Sequence, residues 1–344
     1  MIDININWVL EQGQNLEASD IHMLSGEVLT FRVNGFLKLT EKILKNTEII
    51  HMALEILGHS KLEQLKEKKE YDMTYEDNLQ NRYRMNFHYS KGNLGISIRV
   101  LQKNIPLMEN LNFPKSVYNL LENKTGLILV SGSTGSGKTT SLAAMIEYLN
   151  SNRNLNIITI EDPVEYLFQS KKSIIRQREI GRDTNSFNNA LKSALRQDPD
   201  VIMIGELRDL ESIQMAITIA ETGHLVLGTL HTIGAVESID RIVDVFPKET
   251  QNQIRLQLSN ILRGILNQQL VPKTDKSLTA AYELLINNQA VGNYILSGKT
   301  NQIHSIMESS GKLGMITMKK SLETLYNTNI ISKENFDRLI QSVK

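Results

Sequence analysis

Beyond residue 114 the chain carries short, almost wholly apolar runs: Leu127-Ile128-Leu129-Val130, Ile157-Ile158-Thr159-Ile160, Val201-Ile202-Met203-Ile204 and residues 224–230. A stretch with helical spacing follows the first, and helices separate the others. Runs this short and apolar suit strands buried on both faces. Their alternation with helices predicts a doubly wound, mostly parallel α/β sheet. After about Gln251 the chain reads as helical.

Residues 1–103 have a different texture and predict a small mixed α/β domain. Residues 1–13 suit a helix, and 21–24 and 29–33 suit short strands. Asn34-Gly35 then turns the chain into a further strand over 36–39, a strong hairpin signal. Helical spacing returns at 49–57. The charged run over 61–70 reads as a solvated helix face. Strands follow over 71–75, 81–89 and 95–101. Two prolines and several asparagines then break the pattern, so residues 104–114 read as a linker between this domain and a second one over 115–344.

A chain of 344 residues suits two domains. Lys plus Arg and Asp plus Glu both number 38, which argues against bulk binding to nucleic acid or to an anionic membrane. There is no cysteine, so disulfides and thiolate zinc sites are excluded. The opening MIDININWVL lacks the basic start and apolar core of a signal peptide. No stretch approaches the roughly 18–20 apolar residues of a membrane helix. The expectation is a cytoplasmic protein that meets a membrane only through partners.

The chemistry starts after the first apolar run. Gly132-Ser133-Thr134-Gly135-Ser136-Gly137-Lys138-Thr139 is a GxxxxGK[ST] loop between a buried-type strand and a helix over 139–150. That setting makes the pattern a phosphate cradle. Glycines let backbone N–H groups converge on phosphate oxygens at the positive end of the helix. Lys138 can span β- and γ-phosphates, Thr139 suits Mg²⁺, and Thr140 sits near the α-phosphate. ATP with Mg²⁺ is the expected pair.

In open α/β sheets ligands sit outside the carboxyl ends of the strands. Three other apolar runs end in Glu161-Asp162-Pro163, Gly205-Glu206 and His231-Thr232. Apolar residues ending in an acid have Walker B character, which assigns Glu206 to the Mg²⁺ shell. Glu161 is then free to orient or deprotonate the attacking water, although the two glutamates could exchange roles. His231 could sense the γ-phosphate. His224 opens the same strand from its other end. Cations that arrive late at the developing phosphate charge are also expected. Arg82 and Arg84 alternate on one strand and so share a face, and Arg99 lies on another strand; in the second domain Arg176, Arg178, Arg182, Arg196 and Arg208 are further candidates that composition does not rank.

These motifs together resemble the type IV pilus retraction ATPase family, PilT, within the wider secretion ATPases. The resemblance covers nearly the whole chain. It includes Ala18-Ser19-Asp20-Ile21-His22, the loop from Gly132 to Thr140, and Ile160-Glu161-Asp162-Pro163-Val164-Glu165-Tyr166. It continues through Gln177-Arg178-Glu179-Ile180-Gly181-Arg182-Asp183-Thr184, Ala194-Leu195-Arg196-Gln197-Asp198-Pro199-Asp200 and Gly205-Glu206-Leu207-Arg208-Asp209. Thr222-Gly223-His224 and Gly228-Thr229-Leu230-His231-Thr232 complete a histidine box, with Asp240-Arg241-Ile242-Val243-Asp244-Val245-Phe246-Pro247 and Gly314-Met315-Ile316-Thr317-Met318 downstream.

The resemblance implies a PAS-like N-terminal domain followed by a RecA-like ATPase core with a helical C-terminal part, assembled as a homohexamer. Nucleotide would meet Arg82, Arg84 and Arg99 as the domains close. The ring would act with an inner-membrane platform protein similar to PilC, and with other pilus motor ATPases, at the inner face of the membrane. One motif departs. The family's Ala-Ile-Arg-Ser/Asn-Leu signature aligns with Ala290-Val291-Gly292-Asn293-Tyr294, where glycine replaces the arginine and tyrosine the leucine. The alternatives are an extension or secretion ATPase, and a nucleotide-gated regulatory ring. The short N-terminus and the absence of cysteine disfavour the first, and Gly292 alone supports the second.

Overall fold

A computed structural model of the chain describes residues 4–341. The first three positions of the helix expected over 1–13 lie outside it. The chain divides into two compact units, Met1–Asn104 and Ile105–Lys344.

The first unit runs α1 (Ile6–Asn15), β1 (Asp20–Leu24), β2 (Val28–Val33), β3 (Phe36–Ile43), α2 (Asn46–Lys68), β4 (Glu70–Glu76), β5 (Arg82–Ser90) and β6 (Asn93–Val100). Its strands form one antiparallel sheet in the order β3-β2-β1-β6-β5-β4. Without the β3 hairpin arm this is a PAS-like order. Asn34 and Gly35 both take positive φ, 50° and 83°, as a two-residue hairpin turn requires. The helix expected over 49–57 and most of the charged run after it form two helical stretches of α2, separated by a break at Gly58 (φ 67°, ψ 174°). Strand alternation puts Ile21, Met23, Phe31, Met85, Phe87, Ile96 and Ile98 in one apolar core with residues of α1 and α2.

On β5, Tyr83, Met85 and Phe87 alternate with Arg82 and Arg84. Arg84 lies directly across from Arg99 on β6, which in turn pairs with Asp20 on β1. The three arginines therefore share one side of the sheet. Arg82 is buried and Arg84 exposed, and the Arg99 guanidinium donates to Asp20 at 3.0 Å.

The second unit begins with a short 3₁₀ turn, Met108–Leu111, flanked by the buried side chain of Phe113. Then come α3 (Lys115–Leu121), β7 (Gly126–Ser131), α4 (Lys138–Asn152), β8 (Asn156–Glu161), β9 (Ile174–Glu179), α5 (Phe187–Ala194), β10 (Val201–Ile204), α6 (Leu210–Glu221), β11 (Leu225–Leu230), α7 (Ala235–Asp244), α8 (Lys248–Ile261), β12 (Leu262–Pro272) and β13 (Leu278–Ile286). The chain closes with α9 (Gln289–Ser297), α10 (Ile303–Ser309), α11 (Met318–Asn327) and α12 (Lys333–Ile340). The sheet order is β13-β12-β7-β11-β10-β8-β9. All neighbours are parallel except β13 against β12. The chain leaves β7 toward β8 on one side and later returns to β12 on the other, so the switch in strand order falls at β7. This is the RecA-like core.

Each central strand is buried on both faces. Leu127, Leu129, Ile158, Ile160, Ile202 and Ile204 pack with residues of α5, α6 and α7. Ile128, Val130, Ile157, Val201, Met203 and Leu227 pack with Leu142, Met145, Ile146 and Leu149 of α4. This two-sided burial explains the unbroken apolar runs in the sequence.

The expectation of a helical chain after about Gln251 holds for α8 and for α9 to α12 and is corrected for residues 262–286. Helix α8 ends at Ile261, and β12 and β13 then form a hairpin that extends the sheet beyond β7. Leu262, Ile265, Leu266 and Leu270 are spaced for a helix as well as for a strand. Pairing with β7 decides between them. The polar strand β9 carries no apolar run and went unmarked in the sequence.

Gly292 lies inside α9. A Cβ there would meet Ser259 O at 3.5 Å and Asn287 Oδ1 at 3.7 Å, which is ordinary contact. Nothing in the packing demands glycine, and glycine within a helix costs about 0.5–1 kcal/mol relative to alanine. Gly292→Ala should therefore raise stability by about that amount, as a shift of the urea midpoint at unchanged slope.

Candidate functional site

Parallel register aligns the carboxyl ends of the central strands. Ser131 pairs with Leu230 and with Asn267, and Ile204 is in register with both Gly228 and Ile160. The residues that follow, Gly132, His231, Gly205-Glu206 and Glu161, therefore gather along one edge. Alternation directs the odd-numbered positions of β8, among them Thr159 and Glu161, to the side of the sheet that α4 covers.

The loop from β7 to α4 closes tightly. Gly132, Gly135 and Gly137 take φ of 146°, 78° and 87°, in the region that favours glycine. A Cβ on Gly132 would lie 2.4 Å from the carbonyl oxygen of Gln268. Lys138 opens α4 with only 7 % of its surface exposed. Its ammonium donates to Gly132 O at 2.9 Å and Ser133 O at 2.8 Å, and lies 3.4 Å from His231 Nδ1. Burial pushes the Lys138 pKa down, while the charge of Glu206 opposes that shift. Ser133, Thr134 and Gly135 are exposed, and Thr134 Oγ1 is 3.4 Å from His231 Nδ1. The Ser136 hydroxyl is buried without a hydrogen-bond partner. Thr139 is half-buried, and Thr140 Oγ1 shares a hydrogen bond of 2.9 Å with Tyr166.

Glu206 joins the cradle through His231. One carboxylate oxygen lies 3.0 Å from His231 Nε2 and the other accepts from Arg208 Nε at 2.5 Å. Glu161 is more deeply buried. Its Oε1 accepts from Thr159 Oγ1 at 2.6 Å and from Gln177 Nε2 at 3.2 Å. Desolvation pushes its pKa up to about 7, against the lowering effect of those two donors. Glu161 thus has the proton affinity of a base working near neutral pH.

His224 is not brought to this edge within one chain. It sits at the opposite end of β11, with Nδ1 3.2 Å from both Ile219 O and Thr222 Oγ1. Arg82, Arg84 and Arg99 belong to the first unit, as described above.

The roles of the amides around the site could not be read from the sequence. Gln268 on β12 donates to Ser136 O at 2.5 Å and accepts from Ser141 Oγ at 2.6 Å. It thereby ties the loop to the first turn of α4. Gln177 on β9 holds both Glu161 and Tyr166 O. Gln268 belongs to no motif, Gln177 opens a motif that gave it no role of its own, and both lie on strands that periodicity did not reveal.

A cavity of about 410 Å³ opens beside Gly137, Thr140 and Ser141, with Leu270, Leu278, Ala280, Tyr282 and Ile330 in its wall. The Tyr282 hydroxyl is anchored to Leu111 O at 2.8 Å, and Phe113 packs on its ring at 5.2 Å. Asn110, Asn112, Gln268, Lys273 and Thr279 line it too, and a purine with its ribose suits a hollow of this size with both apolar and polar walls. Among the described residues no group of three or more His, Asp or Glu is placed to hold a metal. A divalent ion here would need phosphate and water oxygens as well, which is how Mg²⁺ is commonly held.

The glycine cradle, the buried lysine and the aligned acids on a RecA-like sheet define a P-loop nucleotide-binding protein. The family model described as "Type II/IV secretion system protein" matches residues 1–340. The chain belongs to this family, in its PilT branch. It is 40% identical over 319 residues to the type IV pilus retraction ATPase PilT of Pseudomonas aeruginosa, covering 92% of this chain and 93% of that one. It is 42% identical over 297 residues to a twitching motility protein of Neisseria gonorrhoeae, covering 86% and 79%. A crystal structure of the pilus retraction motor PilT with bound ADP superposes with a TM-score of 0.90 at 41% identity, covering 97% of this chain and 96% of that one.

Two outcomes follow from the geometry. Gly132→Ala should cost about 1–3 kcal/mol through backbone strain alone, read as a lowered urea midpoint together with weakened nucleotide binding. Glu161 binds its proton more tightly folded than unfolded, so its contribution to stability is full below about pH 4.5 and lost as pH rises to about 7. Glu161→Gln should therefore gain melting temperature relative to the parent protein between pH 5 and 8. A difference that does not change with pH would remove the assigned shift.

Proposed function

We propose that the chain is a pilus motor ATPase that hydrolyses ATP to power type IV pilus retraction. The carrying observation is the Lys138 cradle aligned with Glu161, Glu206 and His231 on neighbouring strand ends, in a chain 40% identical to a retraction ATPase over nearly its full length. In this reading the loop N–H groups and Lys138 bind the β- and γ-phosphates, and the cavity beside Ser141 takes the base and ribose. Thr139 and Glu206 would hold Mg²⁺, which supplies charge neutralisation between those phosphates when bound.

Glu161 orients water and accepts its proton as the new bond to the γ-phosphorus forms and the bond to the ADP oxygen breaks. His231, in reach of both Lys138 and Glu206, reads the γ-phosphate. Arg82, Arg84 and Arg99 are the cations assigned to the developing charge. His224 has no role in its own chain's site under this reading. The working unit is a homohexamer acting with a PilC-like platform protein at the inner face of the cytoplasmic membrane. No helix among the described residues is long and apolar enough to cross a membrane, and that is compatible with docking through partners.

Lys138→Ala should lose ATP binding and turnover, whereas Glu206→Gln should bind ATP and turn it over at least 100-fold more slowly, roughly the scale of losing one electrostatic contact to the transition state. Ala280→Trp fills the cavity and should raise the KM for ATP with little change in kcat. Wild-type turnover in Lys138→Ala would overturn the cradle assignment. Cells lacking the gene should be hyperpiliated and unable to twitch. Bald cells would instead support extension or secretion, the reading that the family's type II/IV description keeps open.

A further inference from the structure

Residues 232–235 connect His231 to helix α7, and two buried polar side chains grip this connection from the neighbouring hairpin. Asn267 on β12 and Glu283 on β13 are direct cross-strand partners. They are only 4 % and 8 % exposed. Asn267 Nδ2 donates to Ser131 Oγ at 3.0 Å, at the root of the phosphate loop, and to Thr232 O at 3.2 Å. Glu283 Oε2 accepts from the Ala235 N–H at 2.7 Å, one of the free amides at the start of α7. The Met318 amide at the start of α11 acts on the same carboxylate. Inside the connection, Thr232 and Ser238 share a hydroxyl contact of 2.6 Å, and Ser238 donates to Gly234 O at 2.7 Å. Buried polar groups of this kind are costly unless fully paired. The hairpin therefore holds both ends of the connection rigidly.

We propose that Asn267 and Glu283 are positioning residues for ATP hydrolysis, which fix the segment after His231 and so hold its imidazole between Lys138 and Glu206. This rests on the ATPase reading and on the role given there to His231. Neither side chain belongs to the phosphate loop or to the acids at the strand ends; both act through the backbone that carries the histidine. Glutamine at 283 can still accept the Ala235 N–H, whereas alanine cannot. A displacement of about 1 Å at a reacting group can cost up to about 100-fold in rate, so the loss should fall on turnover and not on binding.

The test uses the full chain, with kcat and KM for ATP, the affinity of a non-hydrolysable ATP analogue, and thermal stability measured on each variant. Asn267→Ala and Glu283→Ala should each lower kcat about tenfold or more, with analogue affinity within about threefold of the parent protein. Glu283→Gln should recover most of the rate. In a His231→Ala background neither substitution should slow turnover further. If Glu283→Ala does not fold, Asn267→Ala and Glu283→Gln carry the test. Losses that multiply with His231→Ala, or a Gln variant as slow as Ala, would overturn the positioning role while leaving the ATPase reading intact. Wild-type kcat in His231→Ala alone would remove the role of His231, and this proposal with it. Failure of Lys138→Ala to lose turnover would mark failure of the ATPase reading itself.

Discussion

Lys138 is a cation on a buried residue, and much of the second unit can be understood as the means of keeping it there. A buried charge is tolerated only where oxygens replace its hydration. The carbonyls of Gly132 and Ser133 do so at 2.9 and 2.8 Å, with the charge of Glu206 adding support. For those carbonyls to turn inward, the loop must bend back over the start of α4, which requires positive φ at Gly132, Gly135 and Gly137. The bend in turn leaves no room for a Cβ against the Gln268 carbonyl. A polyphosphate offers oxygens of the same kind with more negative charge, so the features that make the lysine tolerable also make the loop selective for anions.

The acids are placed by register. Because β7, β11, β10 and β8 are parallel and paired without slippage, the residues at and just beyond their carboxyl ends reach the same edge. A slip of one residue would turn Glu161 away from α4 and Ile160 toward it. The apolar runs that cover both faces of the sheet thus also aim its chemistry. The two glutamates reach this edge in different environments. Glu206 is partly exposed and paired with His231 and Arg208, whereas Glu161 is enclosed and held by neutral donors. That contrast, unlike their positions in the chain, separates a group suited to binding cations from one suited to accepting a proton.

What could be read in the sequence followed from this economy. The phosphate loop, the four central apolar strands and the residues after them were legible because each depends on local composition: glycine where φ is positive, and apolar runs where both faces are covered. The β12–β13 hairpin was not legible, since Leu262, Ile265 and Leu266 fit either period and only the pairing with β7 selects a strand. The edge strand β9 was missed because Arg176, Gln177, Arg178 and Glu179 break any apolar run. The supporting amides were lost along with those strands. Gln268 and Asn267 acquire meaning only from residues 35 to 136 positions away, and Gln177 from residues 9 to 16 positions away. The arginines were partly legible. Alternation placed Arg82 and Arg84 on one face, but the pairing of Arg84 with Arg99 depends on the fold of the sheet.

The hairpin that escaped the sequence reading is also what ties the site to the rest of the second unit. Gln268, Asn267 and Glu283 reach from it to the phosphate loop, the segment after His231 and the start of α7. Farther along α7, Asp240 accepts from the buried Thr300 hydroxyl at 2.9 Å, just beyond α9. Helix α7 is therefore held at its origin by the strand pair and along its length by the helical region that contains Gly292. A shift of the histidine segment therefore acts against both attachments. Interiors packed this closely favour discrete rearrangements over continuous ones. Alanine is accommodated at position 292 and the backbone there is helical. The glycine that departs from the family signature therefore leaves this framework in place and changes only the side chain that α9 presents.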